Sequence, residues 1–91
     1  MYSTLSQNSN INILPIKAFK DNYIWLIQEK FNGIIVDPGD AKPVLKKLKE
    51  KNINLKAILI THKHHDHIGG VEELVDHHPN VQIYGPENIE F

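Results

Sequence analysis

Hydrophobic and polar residues alternate with the period of β-strands in the first third of the chain. The segment "INILPI" (residues 11–16) alternates apolar and polar side chains and predicts a first strand. The segment "NYIWLIQ" (residues 22–28) is rich in β-branched and aromatic residues and predicts a second. In the following "EKFNG", the pair Asn32-Gly33 is the dipeptide that most readily adopts positive φ, which predicts a hairpin into "GIIVD". We therefore expect three neighbouring antiparallel strands.

After "DPGD" the apolar spacing changes to that of a helix. Asp40 is placed to cap a helix from about Ala41 to Lys51. Pro43 falls in its first turn, where the missing N–H does no harm. The side chains expected on its buried face are Val44, Leu45 and Leu48.

The remaining pattern predicts strands that alternate with helical segments. The apolar run "KAILI" (residues 56–60) is typical of a strand buried on both faces. "GGVEELVDHH" (residues 69–78) predicts a short helix that Pro79 ends, and "VQIYG" (residues 81–85) predicts a last strand. The predicted order is β-β-β-α-β-α-β, an α/β arrangement in which the helices serve as crossovers between parallel strands.

Composition restricts the protein to ordinary globular classes. The chain has 91 residues, of which 41% are hydrophobic and 23% charged, enough for one small domain. Its net charge of −1 offers no argument for a nucleic-acid or membrane partner. There are no cysteines, which excludes a thiolate metal site and fits a reducing cytoplasm. Residues 1–10 lack the features of a signal peptide or membrane span, and we expect them to form a disordered polar tail.

A dense polar segment, "THKHHDH", follows the predicted strand at residues 56–60. His62 and His64 are two residues apart, so their side chains should project to the same side, and Asp66 and His67 follow where the chain turns. Imidazole and carboxylate are ligands for zinc, iron or manganese. The segment is interior and contains an aspartate, unlike a histidine tag, and it lies at the carboxyl end of a strand, where open α/β sheets bind ligands. We predict two pairs of metal ligands that support metal-assisted hydrolysis.

Three further polar residues have alternative interpretations. Asp37 ends the third strand, and its carboxylate could brace the metal segment by accepting N–H bonds, or it could be an ordinary turn aspartate before Pro-Gly. Spacing alone leaves both interpretations open. His77 and His78 end an exposed helix, where a protonated imidazole is favoured by the helix dipole, and we do not expect them to be ligands.

The motif "THKHHDHIGG" resembles the metal motif of the metallo-β-lactamase superfamily. Within that superfamily, "PIKAFKDNYIWLI", "IVDPGDAKPVL" and "VQIYGPE" are similar to the bacterial glyoxalase II branch, the hydroxyacylglutathione hydrolases. The histidine motif alone is specific only to the superfamily, whereas "DNYIW" and "VDPGDA" narrow the resemblance to that branch. The matching segments cover nearly all of the chain after its first ten residues.

This resemblance implies an αββα sandwich with a dinuclear metal centre, most often zinc. It implies that His62 and His64 bind the first metal, that Asp66 and His67 bind the second, and that Asp37 is a structural aspartate beside them. The implied reaction is hydrolysis of the glutathione thioester S-D-lactoylglutathione to glutathione and D-lactate. A hydroxide held by the metals would attack the thioester carbonyl, with Asp66 both ligating and orienting it.

The chain departs from this family in its length. Family members are considerably longer, and their two further metal-binding histidines, bridging aspartate and glutathione-binding residues lie downstream of the segment that matches residues 11–91. We therefore expect residues 11–91 to be a partial domain, the N-terminal half of the sandwich, whose partner is the missing C-terminal half. Two alternatives stay open: another hydrolase or a persulfide dioxygenase of the same superfamily, and a non-catalytic metal-binding fragment.

Overall fold

The computed structural model of the chain describes residues 11–18, 22–61 and 69–86. These residues form strands and helices in the predicted order. The elements are β1 (Ile11–Ala18), β2 (Asn22–Glu29), β3 (Asn32–Val36), α1 (Ala41–Lys51), β4 (Asn54–Leu59), α2 (Val71–His77) and β5 (Gln82–Tyr84). The polar tail predicted for residues 1–10 lies outside the described residues.

The five strands of the described residues form one mixed sheet in the order β1-β2-β3-β4-β5. The first three strands pair antiparallel, which confirms the predicted meander. β4 is parallel to β3, and β5 is parallel to β4, as expected when a helix connects each pair. The β3–β4 register shifts after Gly33, so that Lys56 is an extra residue in β4.

The hairpin between β2 and β3 exists, but its predicted turn residues are wrong. Glu29 pairs with Asn32, so the turn consists of Lys30 and Phe31, and Lys30 has the positive φ of 55°. Gly33 instead lies within β3 and is buried. A Cβ on Gly33 would come within 2.7 Å of the Ile53 side chain, so this position needs a glycine for packing rather than for turn geometry.

Helix α1 begins and ends with the caps that its sequence supplies. The Asp40 side chain accepts a hydrogen bond from the backbone N–H of Lys42, as predicted for an N-cap. At the other end, Asn52 has a left-handed conformation, with φ 55°, and its N–H donates to the carbonyls of Leu48 and Lys49. None of the helices in the described residues is long and apolar enough to cross a lipid bilayer.

Both helices cover the same face of the sheet, which we call the inner face. Val44 and Leu48 of α1 and Val71 and Leu74 of α2 are buried in one cluster with strand residues such as Ile58. Leu45 and Val75 are only partly buried and pack at its edge. Within the described part of the chain, this cluster consists of Ile16, Ala18, Ile24, Leu26, Ile35, Ala41, Val44, Leu48, Ile53, Leu55, Ile58, Ile60, Val71 and Leu74.

The opposite, outer face of the sheet is also apolar, although no described helix covers it. The strand register aligns two rows of side chains across this face. The first row is Ile13, Ile27, Ile34 and Ala57 and ends at the polar Gln82 in β5, and the second is Pro15, Trp25, Val36, Leu59 and Tyr84. Several members, including Ile13, Trp25 and Tyr84, are exposed large apolar side chains, and a contiguous patch of this kind is typical of a surface that another structural layer covers.

The Asp40 cap can be tested by its contribution to stability. Asp40→Ala removes the acceptor for the Lys42 amide and should lower the free energy of unfolding by about 0.5–2 kcal/mol. Asp40→Asn keeps a side-chain oxygen at the cap and should retain most of the stability. Denaturant unfolding of the two variants beside the unchanged chain measures the difference. Equal loss in both variants would contradict the assignment of the cap.

Candidate functional site

The candidate site lies where β3 and β4 end side by side. Because the two strands are parallel neighbours, the segments that follow them meet at one edge of the sheet. After β3 comes a tight turn at residues 37–40, which we call the 37–40 turn, and after β4 come Ile60 and Thr61. The four predicted metal ligands, His62, His64, Asp66 and His67, lie outside the described residues, between Thr61 and Gly69.

Asp37 begins the 37–40 turn in an unusual backbone conformation. Its φ is 53°, in the left-handed region that aspartate tolerates better than most side chains. Its N–H donates to the Leu59 carbonyl at 2.8 Å, and its own carbonyl accepts from the Gly39 N–H at 2.9 Å. These bonds extend the β3–β4 pairing by one step and reverse the chain direction, which brings the Asp37 carboxylate toward the end of β4.

The Asp37 carboxylate binds Thr61 through both of its oxygens. Oδ1 accepts from the Thr61 backbone N–H at 2.7 Å, and Oδ2 accepts from the Thr61 hydroxyl. Hydrogen bonds to a charged carboxylate are stronger than those between neutral groups. Asp37 therefore accepts a backbone N–H from the residue before the first predicted ligand, and its role beside a metal stays a prediction.

The same turn holds the residue that follows the candidate segment. The Gly70 N–H donates to the Pro38 carbonyl at 2.8 Å. Gly70 packs so closely that an added Cβ would lie 2.5 Å from the Ala41 nitrogen, 2.7 Å from the Asp40 carbonyl carbon and 2.8 Å from the Pro38 oxygen. Both ends of residues 62–68 are thus attached to the 37–40 turn, one through Thr61 and the other through Gly70.

His77 and His78 lie at the far end of α2. The helix starts next to Gly70 and spans seven residues, so the histidines are about 10 Å along its axis from the 37–40 turn. A ring N–H of His77 donates to the Glu73 carbonyl at 2.9 Å. Burial, with a smaller effect from His77, lowers the pKa of His78, so the expectation of a favoured imidazolium is wrong for His78.

The donor set suits a divalent metal by its chemistry. Residues 62–67 supply three candidate imidazoles and one carboxylate at the predicted positions, all of them ligands for zinc, iron or manganese. Within residues 11–18, 22–61 and 69–86, no three histidine or carboxylate side chains come together as a metal site would require. The described residues therefore provide the attachment of the segment, and the ligand roles stay a prediction.

Sequence reasoning missed Thr61 as an attachment point, and it did not name the partner of Gly70. The signal for Thr61 was a hydroxyl side chain at the junction between an apolar strand and the histidines. The signal for Gly70 was its place directly before a helix. The sequence around each residue does not indicate which group it will bind, because the partners are distant along the chain. Asp37 is 24 residues from Thr61, and Pro38 is farther still from Gly70.

Comparison with known proteins gives concordant matches. The sequence profile of the metallo-β-lactamase superfamily matches residues 19–91. The hydroxyacylglutathione hydrolase of Photobacterium profundum is 57% identical over 77 residues, which are 84% of this chain and 31% of that protein. A hydroxyacylglutathione hydrolase of Aliivibrio fischeri is 60% identical over 79 residues, 86% of this chain and 31% of that protein. The chain spans about a third of the length of the curated relatives it matches.

A solved structure supports the same relationship. The crystal structure of the BLEG-1 B3 metallo-β-lactamase superposes with a TM-score of 0.67 at 29% sequence identity. The match covers 81% of this chain and 35% of that protein. Its fold therefore includes the arrangement of strands and helices described above as one part of a larger molecule.

The close packing of Gly70 yields a stability prediction. Gly70 has φ −96° and ψ −2°, which alanine can adopt, so the effect of Gly70→Ala should come from the crowded backbone atoms of the 37–40 turn. Overpacking of this kind typically lowers stability by about 1–3 kcal/mol. Gly85→Ala, at an exposed glycine, is the matched control and should be near neutral. Chemical denaturation of both variants measures the effect, and an equally small change at Gly70 would contradict the observed packing.

Proposed function

The chain belongs to the metallo-β-lactamase superfamily, and on that premise we propose that it forms the N-terminal, metal-binding part of a hydroxyacylglutathione hydrolase. The proposed reaction is hydrolysis of S-D-lactoylglutathione to glutathione and D-lactate, the hydrolytic step of methylglyoxal detoxification. The chain is 57% and 60% identical to two proteins named hydroxyacylglutathione hydrolase, but only 29% identical to the BLEG-1 B3 metallo-β-lactamase. The higher identities support the hydrolase activity over a β-lactamase activity.

One structural observation carries the proposal. The 37–40 turn binds Thr61 on one side of residues 62–68 and Gly70 on the other. A segment rich in histidine and held at both ends beside the carboxyl ends of two parallel strands is suited to hold a metal in a defined place.

The proposed ligands form two pairs. His62 and His64 would bind one divalent ion, and Asp66 and His67 the other, with zinc the proposed metal and iron or manganese compatible with the same donors. Bound in this way, the ions would lower the pKa of a water molecule and polarise the thioester carbonyl.

The protein's own residues would orient the reaction. Asp66 is the proposed catalytic residue, because its carboxylate could hold the attacking water as well as bind a metal. Asp37 would brace the segment through Thr61 without touching the substrate, which is the usual task of a carboxylate next to a metal site. No serine or cysteine nucleophile is required.

The proposed partner of this chain is the remainder of the longer protein. Four ligands shared between two metals leave two protein ligands for each, whereas a catalytic zinc site normally has three. The outer face of the sheet would receive the second half of an αββα sandwich, and that half would supply the further ligands and the glutathione-binding residues. We propose that residues 11–91 are a partial domain of such an enzyme, which acts in the cytoplasm.

A metal-binding fragment without activity is the second candidate function, because the chain spans only 31% of its relatives. The two candidates differ in the complete protein. The 91-residue chain should bind zinc weakly and hydrolyse S-D-lactoylglutathione negligibly, whereas a longer version that carries the remaining ligands should hydrolyse it.

In such a longer version, Asp66→Ala or His64→Ala should abolish hydrolysis, and a chelator should do the same until metal is restored. His78→Ala should be nearly silent, because His78 lies at the far end of α2. Initial rates with S-D-lactoylglutathione provide the measurement. Rapid turnover by the 91-residue chain alone, or a large loss of rate in His78→Ala, would contradict the proposed site.

The outer face gives a separate test of the missing half. Ile13 lies on this face and Phe31 lies in the β2–β3 turn, and each side chain is 62% exposed. In the 91-residue chain, Ile13→Lys and Phe31→Lys should both change stability by less than about 0.5 kcal/mol. In the longer protein only Ile13→Lys should be strongly destabilising, since it would bury a charge. Thermal unfolding of both variants, in the 91-residue chain and in the longer protein, measures the four changes in stability. Equal losses of stability for Ile13→Lys and Phe31→Lys in the longer protein would contradict the proposed packing.

A further inference from the structure

We propose that a groove between the carboxyl halves of α1 and α2 binds a small anion with an unbranched aliphatic chain, of the class of a medium-chain carboxylate. We call it the interhelical groove. All of its lining residues belong to the described part of the chain, and none of them is a predicted metal ligand. The proposal is therefore independent of the hydrolase function.

The two helices are packed tightly at their amino ends and leave a space between them farther along. Gly70, directly before α2, lies so close to the start of α1 that an added Cβ would be 2.5 Å from the Ala41 nitrogen. At the other end the carboxyl half of α1 and the end of α2 line an open groove of about 720 Å³. Sites for small molecules typically have volumes of about 300–1,000 Å³.

The floor of the interhelical groove is apolar. Leu48 and Ile53, both buried, line it together with the partly buried Leu45. Leu45, Leu48 and Asn52 are three and four residues apart, so they lie along one side of α1. Apolar surface of this kind is stabilised when it is covered, and a short aliphatic chain would cover it.

The rim of the interhelical groove is cationic. Lys46 and Lys49 of α1 line it on one side, and His77 and His78 line it on the other. Both lysines are exposed, and none of the described residues that line the groove is a carboxylate. The whole chain has a net charge of −1, so positive charge is concentrated here. Charge complementarity therefore favours an anion as the occupant.

A smaller cavity continues this cationic surface beyond the histidines. It has a volume of about 230 Å³, shares His77 and His78 with the interhelical groove, and is also lined by Lys56 of β4. No carboxylate is among its described lining residues either. An anion bound near the histidines would thus meet lysines on both sides of them and no repelling carboxylate from the two linings.

The helix ends themselves are not the expected anion site. The carboxyl end of a helix carries partial negative charge, which disfavours an anion. Here the N–H groups of Asn52 and His78 already donate to carbonyls in the last turns of α1 and α2. We therefore expect the anionic group to bind the ammonium groups of Lys46 and Lys49, with its chain on the apolar floor.

The interhelical groove should be accessible in the 91-residue chain and in a longer protein alike. It lies between the helices, on the side of the sheet opposite the outer face. The second half of the proposed sandwich would cover the outer face and leave the groove open.

The test is a titration of the 91-residue chain with sodium octanoate, followed through amide chemical shifts by two-dimensional NMR. We expect saturable shifts at the amides of Lys49 and His78. The Trp25 amide reports on the outer face, whose exposed apolar side chains could bind an aliphatic chain without regard to charge. The absence of saturable shifts in the groove, or shifts at Trp25 that equal them, would overturn the proposed site.

Acetate and 1-octanol separate the two features of the ligand. Acetate has the charge without the chain, and 1-octanol has the chain without the charge. Both should bind the groove more weakly than octanoate, acetate by the larger factor, because each buried methylene raises affinity by up to about fourfold. Equal affinities for octanoate and acetate would indicate an adventitious ion only, and equal affinities for octanoate and 1-octanol would exclude a role for charge. Either result would overturn the proposal.

A matched pair of lysine variants tests the rim. Lys49→Glu should weaken octanoate binding by about fivefold, since it removes one exposed ion pair and adds a repulsion. Lys51→Glu makes the same change of charge in the same last turn of α1, but Lys51 does not line the groove. Its effect should stay below about twofold at physiological salt, where more distant charges are screened. Equal losses in the two variants would reflect net charge alone and would overturn the assignment of the rim.

Discussion

The link between Asp37 and Thr61 is the interaction on which the candidate site depends. It joins the carboxyl ends of two parallel strands that have no turn in common, and it does so with a carboxylate that receives two donors. The left-handed backbone of Asp37 makes this possible, because the reversal at φ 53° directs the side chain toward β4 instead of away from the sheet. The 37–40 turn then accepts the Gly70 N–H at Pro38 and caps α1 at Asp40. Four consecutive residues thus connect a strand, two helices and both ends of the segment that carries the predicted ligands.

Much of the fold was predictable because its signals are local. The alternation in β1, the cap at Asp40 and the apolar run in β4 each depend on neighbouring residues, and the order of elements follows from them. The turn of the first hairpin was not predictable in this way. Asn32-Gly33 has the strongest local preference for a turn, but packing against Ile53 favours a register in which Gly33 lies inside β3 and Lys30 takes the positive φ. Tertiary packing here outweighs a turn preference of the backbone.

The candidate site was predictable only in part, for a related reason. The spacing of His62, His64, Asp66 and His67 indicates metal chemistry from the sequence, and the resemblance adds a reaction. Which groups hold that segment is a property of the fold, since Thr61 meets a residue 24 positions earlier and Gly70 meets Pro38. Asp37 illustrates the difference. Sequence spacing was compatible both with an ordinary turn aspartate and with a carboxylate that braces the metal segment. The structure shows that Asp37 is a turn residue whose carboxylate also binds Thr61.

The parallel pairing of β3 and β4 has a consequence for the order of folding. β1, β2 and β3 are joined by short connections and can pair through local contacts, whereas the contact between Asp37 and Thr61 must close a loop of 24 residues and costs more chain entropy. We therefore expect the candidate ligands to come together late, on a sheet that is already largely assembled. A nascent or partly unfolded chain would carry the histidines without their arrangement, so metal capture would report on completed folding.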